Sequence, residues 1–146
     1  MKPTSRPTYA QERAMRDAYA DELDRYRPHE VEVSRERLPG ATDQKRADLF
    51  TVDRHGLLRI WEFKVRATAA SVGQLLVYLA LCRRHYAGKR VVRPVLAAAE
   101  FDPDVTFAIE ALNLGVEVVV LPPAVLNAGR IPFSRPSEPI PAFTLK

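Results

Sequence analysis

The sequence predicts an α/β domain, a mixed β-sheet flanked by helices with elements in the order αβββαβαβ. Three observations predict it. Two β-prone runs, residues 46–53 and 57–65, are separated only by Arg54-His55-Gly56 and read as a hairpin. A helical pattern and a short alternating run precede the hairpin. After it, two helical patterns alternate with two apolar β-prone runs, the arrangement of helix-connected crossovers.

The elements follow in chain order. Over residues 9–26 the larger apolar side chains recur as Met15, Tyr19, Leu23 and Tyr26, with Ala14 and Ala18 between them, predicting a helix with one buried stripe that ends before Pro28. Val31, Val33 and Arg35 alternate with Glu32, Ser34 and Glu36, a half-exposed first strand. Residues 38–45 contain Pro-Gly and Ala-Thr-Asp and read as a loop. In the second hairpin strand Leu58 and Ile60 face one side and Trp61 and Phe63 the other, so it belongs in the sheet interior. Thr68 caps a helix running to about Tyr86, before Gly88. Its Val72, Leu75, Leu76 and Leu79 face is widened by Val77 and Leu81, which predicts cover from the sheet and from another helix or a partner subunit. Residues 91–99 form a strand. Asp102 and Pro103 open a helix through Phe107, Ile109 and Leu112, and residues 116–121 form the last strand.

The chain has 146 residues and is 47% hydrophobic, enough for one domain with a core. That domain is expected to span residues 1–121. Six of the remaining 25 residues are proline, predicting an extended or partly ordered tail over 122–146, with Ile131, Phe133, Ile140 and Phe143 as anchors. No apolar stretch nears the ~20 residues a membrane span needs, and the N-terminal segment is not a signal sequence, so a soluble, non-secreted, cytoplasmic protein is expected. Cys82 is a single cysteine in a helical pattern and reads as a buried thiol.

Formal charge is +4, and 17 of the 22 basic residues are arginine, the side chain suited to bidentate phosphate contact. Arg35, Arg37, Lys45, Arg46 and Arg66 flank the hairpin and are the candidate nucleic-acid contacts.

A three-residue loop ending in glycine pairs Asp53 with Leu57 and sets Asp48 opposite Glu62. Two carboxylates then share one face about 5 Å apart, within reach of one divalent cation. The strand period returns Lys64 to that face. Phosphodiester hydrolysis needs carboxylate-held metal, an in-line water and positive charge. Asp48 and Glu62 supply the candidate metal ligands, with the Phe63 carbonyl as another. Lys64 orients or deprotonates the water, or offsets developing negative charge; a lysine base requires burial to lower its pKa, so the electrostatic role is preferred. Gln74 and Tyr78 are one helical turn apart and can point at the same site. Asp53 reads as turn chemistry, and His29, His55 and His85 lack metal-ligand spacing.

Arg46-Ala47-Asp48-Leu49, Trp61-Glu62-Phe63-Lys64 and Ser71-Val72-Gly73-Gln74-Leu75-Leu76-Val77-Tyr78 together resemble the PD-(D/E)xK nuclease superfamily, in particular the C-terminal nuclease domain of NucS-type endonucleases with its Gly-Gln-Leu-Leu-x-Tyr helix. The resemblance spans residues 23–121 and implies a restriction-endonuclease-like fold with Mg²⁺- or Mn²⁺-dependent DNA cleavage. It implies that Asp48 and Glu62 bind metal, that Lys64 is the catalytic lysine, and that Gln74 and Tyr78 complete the site. Such enzymes often add a carboxylate from the first helix; Glu22 is the preferred candidate, ahead of Glu12 and Asp21. Residues 46–48 are Arg-Ala-Asp where relatives commonly have Gly-Arg-Ile-Asp. Residues 1–22 are too short for the DNA-binding domain that precedes the nuclease domain in NucS proteins, so the resemblance is expected to cover the nuclease domain alone, with further DNA contact from a homodimer or from a protein partner at the C-terminal tail. The leading expectation is a metal-dependent DNA endonuclease. The alternative is a catalytically inactive nuclease-fold module for nucleic-acid binding or assembly, and RNA is a third possible substrate. Retention of all of Asp48, Glu62 and Lys64 favours the enzyme, because two acids do not help a protein that only binds a polyanion.

Overall fold

The hairpin forms in the register its turn dictates. Gly56 takes φ +83°, its N–H donates to the Asp53 carbonyl at 3.0 Å, and the Asp53 N–H donates to the Leu57 carbonyl at 3.0 Å. The Asp53 carboxylate accepts the His55 and Leu57 N–H groups at 2.8 and 3.1 Å, the turn chemistry expected of it. Beyond the turn, Val52 faces Leu58, Thr51 faces Arg59, Phe50 faces Ile60 and Leu49 faces Trp61.

This hairpin sits inside a computed structural model that describes residues 5–39 and 46–134. The elements are α1 (Ser5–Asp21), α2 (Leu23–Tyr26), β1 (Glu30–Arg37), β2 (Ala47–Asp53), β3 (Leu58–Ala67), α3 (Ala69–Tyr86), β4 (Val92–Phe101), α4 (Pro103–Ala111), β5 (Glu117–Val120) and α5 (Pro123–Ser134). The five strands lie in the order β1-β2-β3-β4-β5, antiparallel from β1 to β3 and parallel from β3 to β5. Helices α3 and α4 make the two crossovers that parallel neighbours require. β3 is therefore central, as its two bulky faces predict.

Strand alternation divides the core. Phe50, Leu58, Ile60, Leu96 and Ala98 pack with Leu75, Leu79 and Cys82 of α3, and with Val105 and Ile109 of α4. Leu49, Trp61, Phe63, Val95 and Ala97 face the other way, against Met15, Tyr19, Leu23 and Val125. Each face is covered by the apolar stripe of a helix, so burial of these side chains, at about 25 cal/mol per Å², holds the layers together. The start of α3 is fixed by Ser71, whose Oγ accepts the Thr68 N–H at 3.1 Å.

Several expectations change. The first helix breaks at Glu22 into α1 and α2. Val31 and Val33 are 60% and 52% exposed, because β1 is an edge strand with a register shift between Glu32 and Ser34. Val77, Phe107 and Leu112 also face outward. Within the tail expected to be extended or partly ordered, residues 123–134 are helical: Pro122 and Pro123 stand at the start of α5, where a missing N–H costs nothing. Gly129 lets α5 approach α1 closely, for a Cβ there would lie 2.8 Å from Met15 Cγ and 3.2 Å from the Gln11 carbonyl. Residues 40–45 of the loop expected over 38–45, the Ile131 and Phe133 side chains, and the Ile140 and Phe143 anchors fall outside what is described. Among the described residues no helix is long and apolar enough to cross a membrane.

Candidate active site

At the end of the sheet away from the hairpin turn, α1, β2, β3 and α3 enclose a cleft of about 380 Å³. Continuing the β2–β3 register one step past Leu49 and Trp61 sets Asp48 across from Glu62, and both line this cleft with Lys64, Gln74 and Tyr78. The structure thus brings together five side chains from three elements, Asp48 of β2, Glu62 and Lys64 of β3, and Gln74 and Tyr78 of α3.

Their contacts are specific. The Phe63 N–H donates to Asp48 Oδ2 at 2.7 Å, fixing the Asp48 carboxylate on β3. Lys64 Nζ lies 3.6 Å from Glu62 Oε2 and 3.9 Å from Glu12 Oε1. Glu12 reaches down from α1, its other oxygen accepting the Val65 N–H at 3.0 Å. Gln74 donates to the Tyr78 hydroxyl at 2.5 Å, so these two form a pair on the α3 wall.

Electrostatically the acids are under strain. Burial pushes Glu62 up to about 8, and the neighbouring Asp48 charge adds to it against the pull of Lys64. Asp48 is pushed up to about 6, again by burial, against the Phe63 N–H and the charges of Arg16 and Lys64. Burial also raises Glu12. Among the described residues Glu62 Oε1 is buried without a hydrogen-bond partner. A buried polar atom left in this state costs free energy. The opposite end of the sheet shows the ordinary solution: the buried Glu30 carboxylate is bound by Thr51, Arg27 and Arg59.

The donor set fits a hard divalent cation. Two carboxylates, one with an open oxygen, match the Mg²⁺ habit of taking one or two protein carboxylates and completing its shell with water and phosphate. Among the described residues there is no group of three or more His, Cys, Asp or Glu side chains able to hold a metal on its own. The site would therefore depend on oxygens from backbone, water or substrate.

Comparison with solved structures places the fold. No family model matches the sequence, and no curated protein does. A repair endonuclease from Pyrococcus abyssi superposes with a TM-score of 0.62 at 21% identity, over 75% of this chain and 46% of its own. The fold is restriction-endonuclease-like. EndoMS in a dsDNA complex gives a TM-score of 0.61 at 22% identity, and apo EndoMS gives 0.61 at 25%, each over 77% of this chain and 46% of EndoMS. The restriction-endonuclease-like domain thus spans about half the length of these proteins.

Within this restriction-endonuclease-like domain the other predicted site residues fare differently. Glu22 does not line the cleft; it is exposed at the α1–α2 break and pairs with Arg25 at 3.2 Å. The first-helix carboxylate in the cleft is Glu12. Ten residues of helix separate the two positions, about 15 Å of rise, and α1 meets the site through its first half. Arg35 is occupied by Asp17, Asp21 and Glu32 at 2.6 to 2.9 Å. Arg66 pairs with Glu100 at 2.9 Å and with Asp102. Neither offers a free fork to phosphate. Arg37 is exposed at the end of β1, Arg46 is exposed on the cleft wall, and Lys45 lies outside the described residues. Tyr9, Arg13, Arg16 and Glu36 also line the cleft. For Glu12 a signal existed: it lies three and seven residues before Met15 and Tyr19, on the inward stripe.

Proposed function

We propose that this chain is a Mg²⁺- or Mn²⁺-dependent endonuclease that hydrolyses phosphodiester bonds in DNA. The observation that carries the reading is the open, buried Oε1 of Glu62 beside Asp48, in a cleft that also holds Lys64. A module that only bound nucleic acid would gain nothing from two buried acids facing a polyanion. DNA is the preferred substrate because the similar fold of EndoMS is seen in a dsDNA complex.

In this reading Asp48, Glu62 and the Phe63 carbonyl would hold the cation. When bound, the cation supplies Lewis acidity toward the phosphoryl oxygen and lowers the pKa of water. Lys64, held between Glu62 and Glu12, offsets negative charge as the phosphorus–oxygen bond to water forms and the bond to the leaving oxygen breaks. The attacking water gives up a proton to solvent, and the leaving oxygen takes one from it. Gln74 and Tyr78 orient the water or the scissile phosphate, and Arg37 and Arg46 contact flanking phosphates. A homodimer, with a protein partner at the C-terminal tail, would extend the DNA contact.

The test is incubation of the purified protein with supercoiled, linear and single-stranded DNA and with RNA, in Mg²⁺, Mn²⁺ or EDTA. Metal-dependent nicking or cutting of DNA that Glu62→Gln abolishes is expected. Cutting that survives in both Glu62→Gln and Asp48→Asn would reject the site, and DNA binding without cutting would favour the inactive module.

A further inference from the structure

Asp48 stands one residue beyond the regular β2–β3 ladder, whose last pair at this end is Leu49 with Trp61. A side chain from another element holds its backbone. Arg16 of α1 donates Nη1–H to the Asp48 carbonyl at 3.0 Å, Nη2–H to Glu36 Oε2 at 3.1 Å and Nε–H to Asp17 Oδ1 at 2.7 Å. The guanidinium is almost wholly buried, its side chain 5% exposed. Glu36 takes φ +55°, a left-handed conformation that a non-glycine residue keeps only when its surroundings hold it. One fork therefore ties α1, β1 and β2 together at the lip of the cleft.

We infer that Arg16 is a positioning residue for the metal-binding pair, fixing the Asp48 main chain so that its carboxylate meets Glu62 across the cleft. The inference rests on the reading of Asp48 and Glu62 as that pair. The Phe63 N–H grips Asp48 from the β3 side, and Arg16 grips it from the α1 side. β1 brackets Asp48 with its Arg35–Leu49 and Arg37–Ala47 pairs, and between them it is Arg16 that takes the Asp48 carbonyl, opposite the left-handed Glu36. The planar guanidinium donates in three directions at fixed angles. A lysine keeps the charge, but its point-like ammonium cannot span three separated acceptors.

The test uses the full chain with Arg16→Lys, measuring Mn²⁺ affinity by electron paramagnetic resonance, steady-state cleavage of duplex DNA, and thermal melting. We expect Mn²⁺ affinity to fall about ten- to a hundredfold, the range for groups that orient a ligand from behind. The loss in cleavage should fall on kcat, with KM for DNA unchanged. In an Asp48→Asn background Arg16→Lys should cost no further Mn²⁺ affinity, because the group it orients is already lost. If Arg16→Lys does not fold, Arg16→Gln paired with Glu36→Gln removes both charges together and is held to the same readouts. A folded variant with parental Mn²⁺ affinity and kcat overturns the inference, as does an equal affinity loss in the Asp48→Asn background. Parental protein that neither binds Mn²⁺ nor cuts DNA would instead reject the nuclease reading, and this inference with it.

Discussion

The Asp48 carboxylate accepts the Phe63 N–H at 2.7 Å, so one acid of the site is fastened to the strand that carries the other. An asparagine can accept the same N–H through its amide oxygen while losing the charge that burial already opposes. Asp48→Asn is therefore expected to fold, with a metal-free melting temperature equal to or above that of the parent, and to lose at least about a hundredfold in DNA cleavage. Melting curves and initial cleavage rates check both halves.

Stability without metal should depend on pH in an unusual direction. In the unfolded chain the two acids titrate near 4. In the folded chain Asp48 stands at about 6 and Glu62 at about 8, so the folded state holds the protons more tightly. Their contribution is complete below the unfolded values and is lost as pH rises through 6 and then 8. The melting temperature in EDTA should fall between pH 5 and pH 8.5, and Glu62→Gln should flatten that fall.

Divalent cations should act in the opposite sense. A cation that binds the ionised pair stabilises the fold by mass action and competes with protons. Mg²⁺ or Mn²⁺ is expected to raise the melting temperature more at pH 8 than at pH 6, with EDTA reversing the shift. In Glu62→Gln the shift should vanish. Thermal melts across a metal titration measure this directly.

The two first-helix acids should separate cleanly. Glu12 touches Lys64 and the Val65 N–H, whereas Glu22 makes an exposed pair with Arg25 of a kind contributing about 0 to 1 kcal/mol. Cleavage assays should show Glu12→Gln impaired about tenfold or more and Glu22→Gln equal to the parent.

The parts of this fold that are legible in sequence are those fixed by local rules. Gly56 closes a three-residue loop, the loop sets the register, and the period of two then brings Asp48, Glu62 and Lys64 to one face. The choice between Glu12 and Glu22 is different in kind, because it depends on which turn of α1 crosses the end of the sheet. Arg16 carries no sequence signal, because its role depends on β1 and β2 placing Glu36 and the Asp48 carbonyl against it. Val31 and Val33 alternate like buried residues, yet a bulge on an uncovered edge leaves them in solvent. Pro122 and Pro123 suggest an extended tail, while the same residues suit the first turn of a helix. That last reading has its own test: Gly129→Ala should push α5 off Met15 and the Gln11 carbonyl and lower stability by about 1 to 3 kcal/mol in chemical denaturation.

The most direct test of the central claim is an anomalous difference map from crystals grown with Mn²⁺. A peak contacted by both the Asp48 and Glu62 carboxylates is expected, absent in Glu62→Gln crystals. Active protein whose Mn²⁺ peak lies away from this pair would contradict that claim.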